Sequence, residues 1–162
     1  MNFEEFKNRV KMLEPVIAKE YRKKYINTFI DTNCEYYNKI SQLKLFSDGW
    51  CYTGYLWDCL KTPQQINWAK IMSYQKYLKD VLVFWDIHSC DRILIDDYWR
   101  FPKNACLELN FNDLCNNKEF LPEDIYIFDR SFKWTLAFTH EINWGKQPLF
   151  LQCGLIELRE EK

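Results

Sequence analysis

The sequence predicts an α+β fold in which an N-terminal helical layer packs on a mostly antiparallel C-terminal sheet. Apolar residues recur at helical spacing in the first half of the chain, and from residue 81 onward their period becomes that of a strand. Helices come first and strands follow, without the regular alternation of a parallel α/β sheet. With 162 residues and no Pro/Gly/Ser-rich linker, the chain is predicted to be one domain over 1–162, mainly helical in 1–79 and mainly strands in 80–162.

Helix signals are concentrated in the first half of the chain. Asn2, followed three residues later by Glu5, has the form of an N-cap with a reciprocal partner. Pro15 either kinks this helix or opens the next one, because an aromatic and aliphatic stripe then recurs every four residues at Ile17, Tyr21, Tyr25 and Phe29. T-P-Q-Q at 62–65 places threonine at a cap and proline at the first helical position, which predicts a further helix to about Leu78.

Strand signals dominate after residue 80. V-L-V-F-W-D-I-H at 81–88 is apolar on both faces as far as Asp86, as expected of an interior strand. The segment at 112–120 is predicted to be a short helix or turn, and S-D-G-W-C-Y-T-G at 47–54 a loop because it holds half of the glycines. Further strands are predicted at 92–97, 105–111, 123–128 and 149–158, the last of which ends the sheet.

A hairpin is predicted within residues 123–141. K-W-T-L-A-F-T-H-E at 133–141 pairs back on 123–128 through a turn made by Asp129 and Ser131, residue types that favour tight turns. Gly154, in the strand that follows, is predicted to mark a bulge or turn.

Composition restricts the functional classes. No apolar run approaches the roughly 20 residues that span a bilayer, so no membrane association is expected. The net charge of −1 lacks the strong basic field of a dedicated nucleic-acid binder. Seven cysteines without C-x-x-C spacing argue against a zinc ribbon and against a secreted disulfide framework, and they predict reduced thiols in a cytoplasm.

His140 and Glu141 are adjacent residues with catalytic chemistry. Strand alternation puts His140 on one face with Trp134, Leu136 and Phe138, and Glu141 on the other with Thr135, Ala137 and Thr139. The pair is therefore predicted not to act as a dyad, and the following I-N-W lacks the second histidine of the zinc motif H-E-x-x-H. We expect His140 to be a structural histidine at the core edge, with a hydrogen-bonded ring nitrogen.

Asp86, His88 and Asp91 form a more compact constellation. The D-x-H spacing places two of these side chains on one strand face, where they could bind a metal or pair a base with its orienter. A hydrogen-bonded Asp and His at a strand end is the alternative interpretation. Too few ligands are present to complete a site, so no metal or cofactor is predicted; Cys90, two residues after His88, is a candidate nucleophile or a small buried hydrophobe.

An acidic and aromatic segment is the predicted partner-binding surface. Residues 80–129 hold 4 Lys/Arg and 11 Asp/Glu, a net charge of −7, which would repel phosphates and attract a cationic protein. I-D-D-Y-W-R-F at 95–101 adds Tyr, Trp and Arg, the residues that most often dominate protein interfaces. The predicted contact residues are Asp86, Asp91, Asp96, Asp97, Tyr98 and Trp99. A solvated loop with its aromatic residues turned into the core is the alternative.

The segment E-D-I-Y-I-F-D-R-S-F-K-W-T-L-A-F-T-H-E at 123–141 resembles the C-terminal hairpin of small bacterial immunity-type proteins, which accompany polymorphic or contact-dependent toxins. G-Y-L-W-D at 54–58 shares the likeness. The resemblance implies a small cytoplasmic, non-enzymatic domain that binds and blocks one toxin domain, often a cationic nuclease, and it transfers no catalytic residues. The expected function is therefore toxin neutralisation. The alternatives are a small metal-dependent hydrolase using Asp86, His88 and Asp91, or a protein-interaction domain unrelated to toxins.

Overall fold

The computed structural model describes residues 1–40, 42–47, 49–86 and 100–158. Within these residues the predicted α+β class is confirmed, because a seven-stranded antiparallel sheet is packed against α-helices. The strands are β1 (Lys11–Met12), β2 (Leu43–Phe46), β3 (Gly49–Tyr52), β4 (Gln64–Ile66), β5 (Asp80–Trp85), β6 (Leu107–Asn110), β7 (Ile125–Phe128), β8 (Trp134–Ile142) and β9 (Pro148–Gly154). The large sheet has the order β1-β6-β5-β7-β8-β9-β4, and β2 pairs with β3 in a separate hairpin.

The α-helices are α1 (Phe3–Arg9), α2 (Pro15–Phe29), α3 (Trp68–Ser73) and α4 (Phe111–Asn116). The capping box predicted for α1 is present, since the Glu5 amide donates to the Asn2 side chain at 2.9 Å and the Asn2 amide donates to the Glu5 carboxylate at 3.0 Å. Pro15 opens α2 instead of kinking α1, because its fixed φ and missing N–H suit the first helical position. Single 3₁₀ turns follow at Tyr37–Lys39, Leu56–Cys59, Tyr74–Lys76 and Lys118–Phe120.

Helices cover both faces of the sheet. On one face, Phe6 of α1, Ile71 of α3 and Leu114 of α4 pack in what we name the first cluster. On the other, α2 and the turn at Leu56–Cys59 pack in the second cluster. The central strands contribute alternate residues to each cluster, so both of their faces are buried.

The helix predicted from T-P-Q-Q is wrong at its start. Thr62 has a φ of 48°, which is not a capping conformation, and Gln64–Ile66 instead pairs with β9 as edge strand β4. The helix begins five residues later than predicted, after Asn67, whose side chain accepts from the Lys70 amide at 2.9 Å. The segment 47–54, predicted to be a loop, contains strand β3. The edge of the large sheet next to β9 is formed by β4, so the C-terminal strand is not the last strand of the sheet. The strand predicted at 92–97 lies outside the described residues.

The β7–β8 hairpin follows the prediction. The Asp129 carboxylate accepts from the Ser131 amide and from the Trp134 indole N–H, both at 2.9 Å. Gly154 at the end of β9 has a φ of 74°, and a side chain there would meet the backbone carbonyl of Lys133. The cysteines whose side chains the structure describes are free thiols: Cys34, Cys59, Cys106, Cys115 and Cys153. No helix in the described part of the chain has the length and apolar character needed to cross a membrane.

Candidate functional site

Charged residues gather at one end of the seven-stranded sheet. Asp86 follows the last residue of β5, Asp124 precedes the first residue of β7, and His140 lies near the end of β8. Because β7 runs antiparallel to both neighbours, these three positions meet at the same sheet end. We call this region the acidic end; it comprises His140 and the carboxylates Asp58, Asp86, Glu123, Asp124 and Glu141.

The carboxylate of Asp86 anchors the turn at Leu56–Cys59 to the sheet. Asp86 is only 2% exposed; its Oδ1 accepts from the Leu56 amide at 3.3 Å, and its Oδ2 accepts from the Tyr126 hydroxyl. The same hydroxyl accepts from the Trp57 amide at 2.9 Å, which adds a second tie to the turn. Burial raises the pKa of Asp86 to about 7, because the charged form loses its hydration.

An arginine on α2 lies beneath this anchor. The Arg22 guanidinium donates to the backbone carbonyl of Trp85 at 2.9 Å and lies 4.3 Å from the ring centroid of Phe84. Burial lowers the pKa of Arg22, and the charge of Asp86 opposes that shift. The positive charge therefore favours the ionised form of Asp86 but does not outweigh its desolvation.

Asp124 organises the other half of the acidic end. It is 3% exposed, and its Oδ1 accepts from the Trp57 indole N–H at 3.0 Å and from the His140 amide at 3.1 Å. Nδ1 of the His140 ring lies 2.9 Å from the same oxygen. This hydrogen bond raises the pKa of His140 because the buried carboxylate stabilises the imidazolium. The predicted hydrogen bond to a ring nitrogen of His140 is confirmed.

The predicted separation of His140 from Glu141 is wrong. β8 and β9 shift register between Phe138 and Ile142, so simple alternation stops there. The centroid of the His140 ring lies 4.9 Å from that of Tyr55 and 6.1 Å from that of Trp57, which packs against the second cluster. Its Nε2 is 3.4 Å from Glu141 Oε1. Both ring nitrogens thus face carboxylates, an arrangement that holds the imidazole in place.

Most of the predicted contact residues are not part of the described site. The predicted contact residues Asp91, Asp96, Asp97, Tyr98 and Trp99 lie outside the described residues, as does His88 of the alternative metal site. Asp86 is described and is buried, and its two oxygens accept from the Leu56 amide and the Tyr126 hydroxyl; its part in a contact surface stays a prediction. Among the residues that the structure describes, no group of three or more His, Cys, Asp or Glu side chains is arranged to hold a metal ion.

The feature that sequence reasoning missed is the tip of the β8–β9 hairpin. Trp144 is fully exposed, at 103% of its reference area, and Ile142 is 65% exposed. The Asn143 side chain accepts from the amides of Gly145 and Gln147, each at 3.0 Å, so the tip has a fixed conformation. The letters I-N-W-G-K-Q-P between two strands are a turn signal that could have indicated it.

A depression of about 680 Å³ connects this tip with the acidic end. Its described lining includes the indoles of Trp57 and Trp144, the aliphatic side chains of Ile142 and Leu149, and the exposed carboxylate of Glu141. A concave surface with two indoles and one carboxylate can receive a cation, since the ring faces and the carboxylate both carry negative potential.

A second groove, of about 500 Å³, lies on the first-cluster side of the hairpin. Its lining includes Phe138 and Phe150, and it carries both signs of charge, from Lys118 and Glu119 among others. The Lys118 ammonium already lies 4.8 Å from the Trp68 ring centroid. This groove therefore has a cation of its own, unlike the depression between Trp57 and Trp144, where Glu141 supplies the charge among the described lining residues.

Comparison with protein-family models, curated proteins and solved structures gave no match. The likeness to immunity-type proteins therefore remains a prediction from two segments, 54–58 and 123–141. Those segments are in direct contact, since Trp57 in the first donates both to Tyr126 and to Asp124 in the second. The residues that carry the likeness thus form one structural unit at the acidic end.

Proposed function

We propose that this protein is a cytoplasmic immunity protein, which neutralises a cognate bacterial toxin domain by binding it through the acidic end and the hairpin tip beside it. The observation that carries the proposal is Trp144, fully exposed on a conformationally fixed tip. An exposed indole is unfavourable in water, and tryptophan is among the residues that most often dominate protein interfaces. Fixing the loop backbone that carries the indole lowers the entropy lost on binding.

Binding fits the acidic end better than catalysis does. The buried carboxylates of Asp86 and Asp124 are occupied by amide, indole, hydroxyl and imidazole donors from the protein itself. A catalytic carboxylate or histidine needs an atom directed at substrate. Glu141 and Trp144 are exposed, which supports a role in recognition.

The partner is proposed to be cationic because this end carries the carboxylates of Asp58, Asp86, Glu123, Asp124 and Glu141 around His140. Three of them come from residues 80–129, a segment whose net charge in the sequence is −7. Opposite charge on the partner would accelerate encounter, by an amount that falls with ionic strength. That the partner is a toxin rests on the resemblance of 54–58 and 123–141 to immunity-type proteins.

Co-expression tests the proposal. The toxin domain encoded directly upstream, at the C-terminus of a large secreted protein, is induced in a host cell with or without this protein, and growth is followed. Rescue of growth and a nanomolar dissociation constant by titration calorimetry are the expected results. Absence of such an upstream domain, or a toxic domain that the purified protein neither binds nor inhibits, would contradict the proposal.

Two sets of variants compare the candidate surfaces. Trp144→Ala with Glu141→Gln alters the hairpin tip, and Asp96, Asp97 and Trp99 changed together alter the segment proposed from sequence. Loss of rescue in the first set with a normal circular dichroism spectrum locates the interface at the tip. Loss in the second set alone would place the contact in the acidic segment and leave the tip uninvolved.

A further inference from the structure

We propose that the depression between Trp57 and Trp144 is a receptor for an arginine or lysine side chain of the partner protein. This deepens the proposed function by naming the group that the surface recognises, and it rests on that function only for the source of the cation. The depression, the fixed Trp57 indole, the exposed Trp144 indole and the charge of Glu141 support it independently.

The Trp57 indole is held in one orientation. It stacks on the Tyr55 ring at a centroid distance of 5.5 Å with 15° between the planes, and its N–H donates to Asp124 at 3.0 Å. The His140 ring packs against it at 6.1 Å in an edge-on geometry. Because Tyr55 covers one side of the indole, the surface that Trp57 contributes to the depression has a defined position.

The Trp144 indole forms another part of the lining. Two further hydrogen bonds close its loop, from the Asn143 amide to the Gln147 carbonyl and from the Lys146 amide to the Asn143 carbonyl, each at 2.8 Å. Lys146 has a φ of 57°, which turns the chain sharply back into β9. The loop backbone is therefore ordered without any contact from Trp144 among the described residues, and the indole is available to a ligand.

The charge of the depression selects the ligand. Glu141 is the charged side chain among its described lining residues, and Asp58, Asp124 and Glu123 lie close enough to influence the titration of their neighbours around His140. An anion would be repelled by these carboxylates. A guanidinium or ammonium would be attracted both by the carboxylate and by the negative faces of the indoles. Arginine also combines a planar stacking surface with several hydrogen-bond donors.

Contacts between a cation and an aromatic ring already occur within this protein. Arg22 lies over Phe84 at 4.3 Å, Lys24 over Phe132 at 4.4 Å and Lys118 over Trp68 at 4.8 Å. In the described part of the chain, no cation lies over the rings of Trp57 or Trp144. The depression therefore has the aromatic and acidic components of such a contact and takes its cation from another molecule.

A pair of short peptides tests the proposal without any toxin. One carries a single central arginine between glycines, and the other carries citrulline, which keeps the shape and removes the charge. Each is titrated into ¹⁵N-labelled protein while the indole N–H resonances of Trp57 and Trp144 are followed; Trp144→Ala identifies its own signal. The arginine peptide should shift both resonances in a saturable manner, and the citrulline peptide should bind at least about tenfold more weakly.

Variants of the residues that line the depression test where the arginine peptide binds. Trp144→Ala and Glu141→Gln should each weaken the arginine peptide by about fivefold or more, the latter with reduced salt dependence. Leu155→Ala is the matched control: this side chain is 83% exposed and follows β9 at the end far from the hairpin, so its removal should leave binding unchanged. Trp144 has no described packing contacts, so its loss should not disturb folding.

Three outcomes would overturn the inference. Equal shifts with both peptides would show that charge is not recognised, and shifts that avoid both indoles would place the cation elsewhere. Concentration-dependent self-association that Trp144→Ala abolishes would assign the depression to a second copy of this chain. Peptide binding with no toxin inhibition would retain this site and reject the proposed function, whereas toxin inhibition that is insensitive to Trp144 and Glu141 would do the reverse.

Discussion

Replacing Asp86 by asparagine should change how the stability of the protein depends on pH. The buried carboxyl has a pKa of about 7 in the folded chain against 3.8 for an unperturbed aspartate. An acid whose pKa is raised by folding favours the folded state fully below the unfolded value and loses that contribution as pH rises through the folded value. The relevant window therefore runs from about pH 4 to pH 7.

The magnitude follows from the two pKa values. A difference of about 3 units corresponds to about 4 kcal/mol once the pH exceeds both values. Between pH 5 and pH 8, the linkage relation gives a relative loss of roughly 2 to 3 kcal/mol for the wild type, since part of the change is complete at pH 5. An asparagine side chain cannot ionise, so the Asp86→Asn variant lacks this loss of stability. The new amide can also change the free energy of unfolding, but by an amount that does not depend on pH.

Urea unfolding at several pH values measures the effect. Tryptophan fluorescence gives the free energy of unfolding by linear extrapolation, and the difference between wild type and Asp86→Asn is plotted against pH. The difference should move in favour of the variant by roughly 2 to 3 kcal/mol from pH 5 to pH 8. Parallel curves would refute the reasoning, because they would mean that Asp86 has the same pKa in both states. Because both proteins contain the other titrating groups, including His140, the contributions of those groups cancel in the difference between the two free energies of unfolding.

Three further perturbations test other parts of the structure. Gly154→Ala should lower the free energy of unfolding by about 2 to 3 kcal/mol, because the φ of 74° is strained for alanine and the new Cβ would lie 2.1 Å from the Lys133 carbonyl oxygen; Gly145→Ala is the milder control. Trp144→Ala should leave the same quantity within about 0.5 kcal/mol of wild type in urea unfolding, since its side chain is fully exposed. His140→Gln should reduce the fall in stability as pH rises through the raised pKa of the histidine, as measured by thermal unfolding at pH 5.5 and 8.5. The first expectation would be contradicted if Gly145→Ala destabilised the protein more than Gly154→Ala. A marked fall in the free energy of unfolding of Trp144→Ala would contradict the second, and an unchanged dependence of stability on pH in His140→Gln would contradict the third.

Local rules predicted the parts of the fold whose partners are close in sequence. The Asn2–Glu5 box forms because its two residues are a single helical turn apart, and the Asp129 turn forms because its donors follow within five residues. The T-P-Q-Q prediction failed because β9, some 80 residues later, offers hydrogen bonds that local propensity does not include. Tertiary pairing outweighed a cap worth about 1 kcal/mol.

The candidate site was less predictable, since its geometry depends on one register irregularity and on distant contacts. Alternation correctly assigned Trp134, Leu136 and Phe138 to one cluster, and it failed at His140 because β8 shifts register beyond Phe138. Nothing in the spacing of the sequence indicates that Trp57 would bond to Asp124, 67 residues away. Charge patterning identified an acidic region but could not separate buried carboxylates from exposed ones.

The buried carboxylates of Asp86 and Asp124 contribute to the candidate site by positioning the residues that they bind. Asp86 and Asp124 bind the Leu56–Cys59 turn from inside, and that turn carries Trp57 to the surface depression. Replacing Asp124 by asparagine should therefore weaken arginine-peptide binding although Asp124 is only 3% exposed, because the Trp57 indole loses its charged acceptor and with it a fixed orientation. A peptide affinity that is unchanged in Asp124→Asn, with the Trp57 indole resonance also unmoved, would mean that the indole is positioned by its stacking on Tyr55 alone.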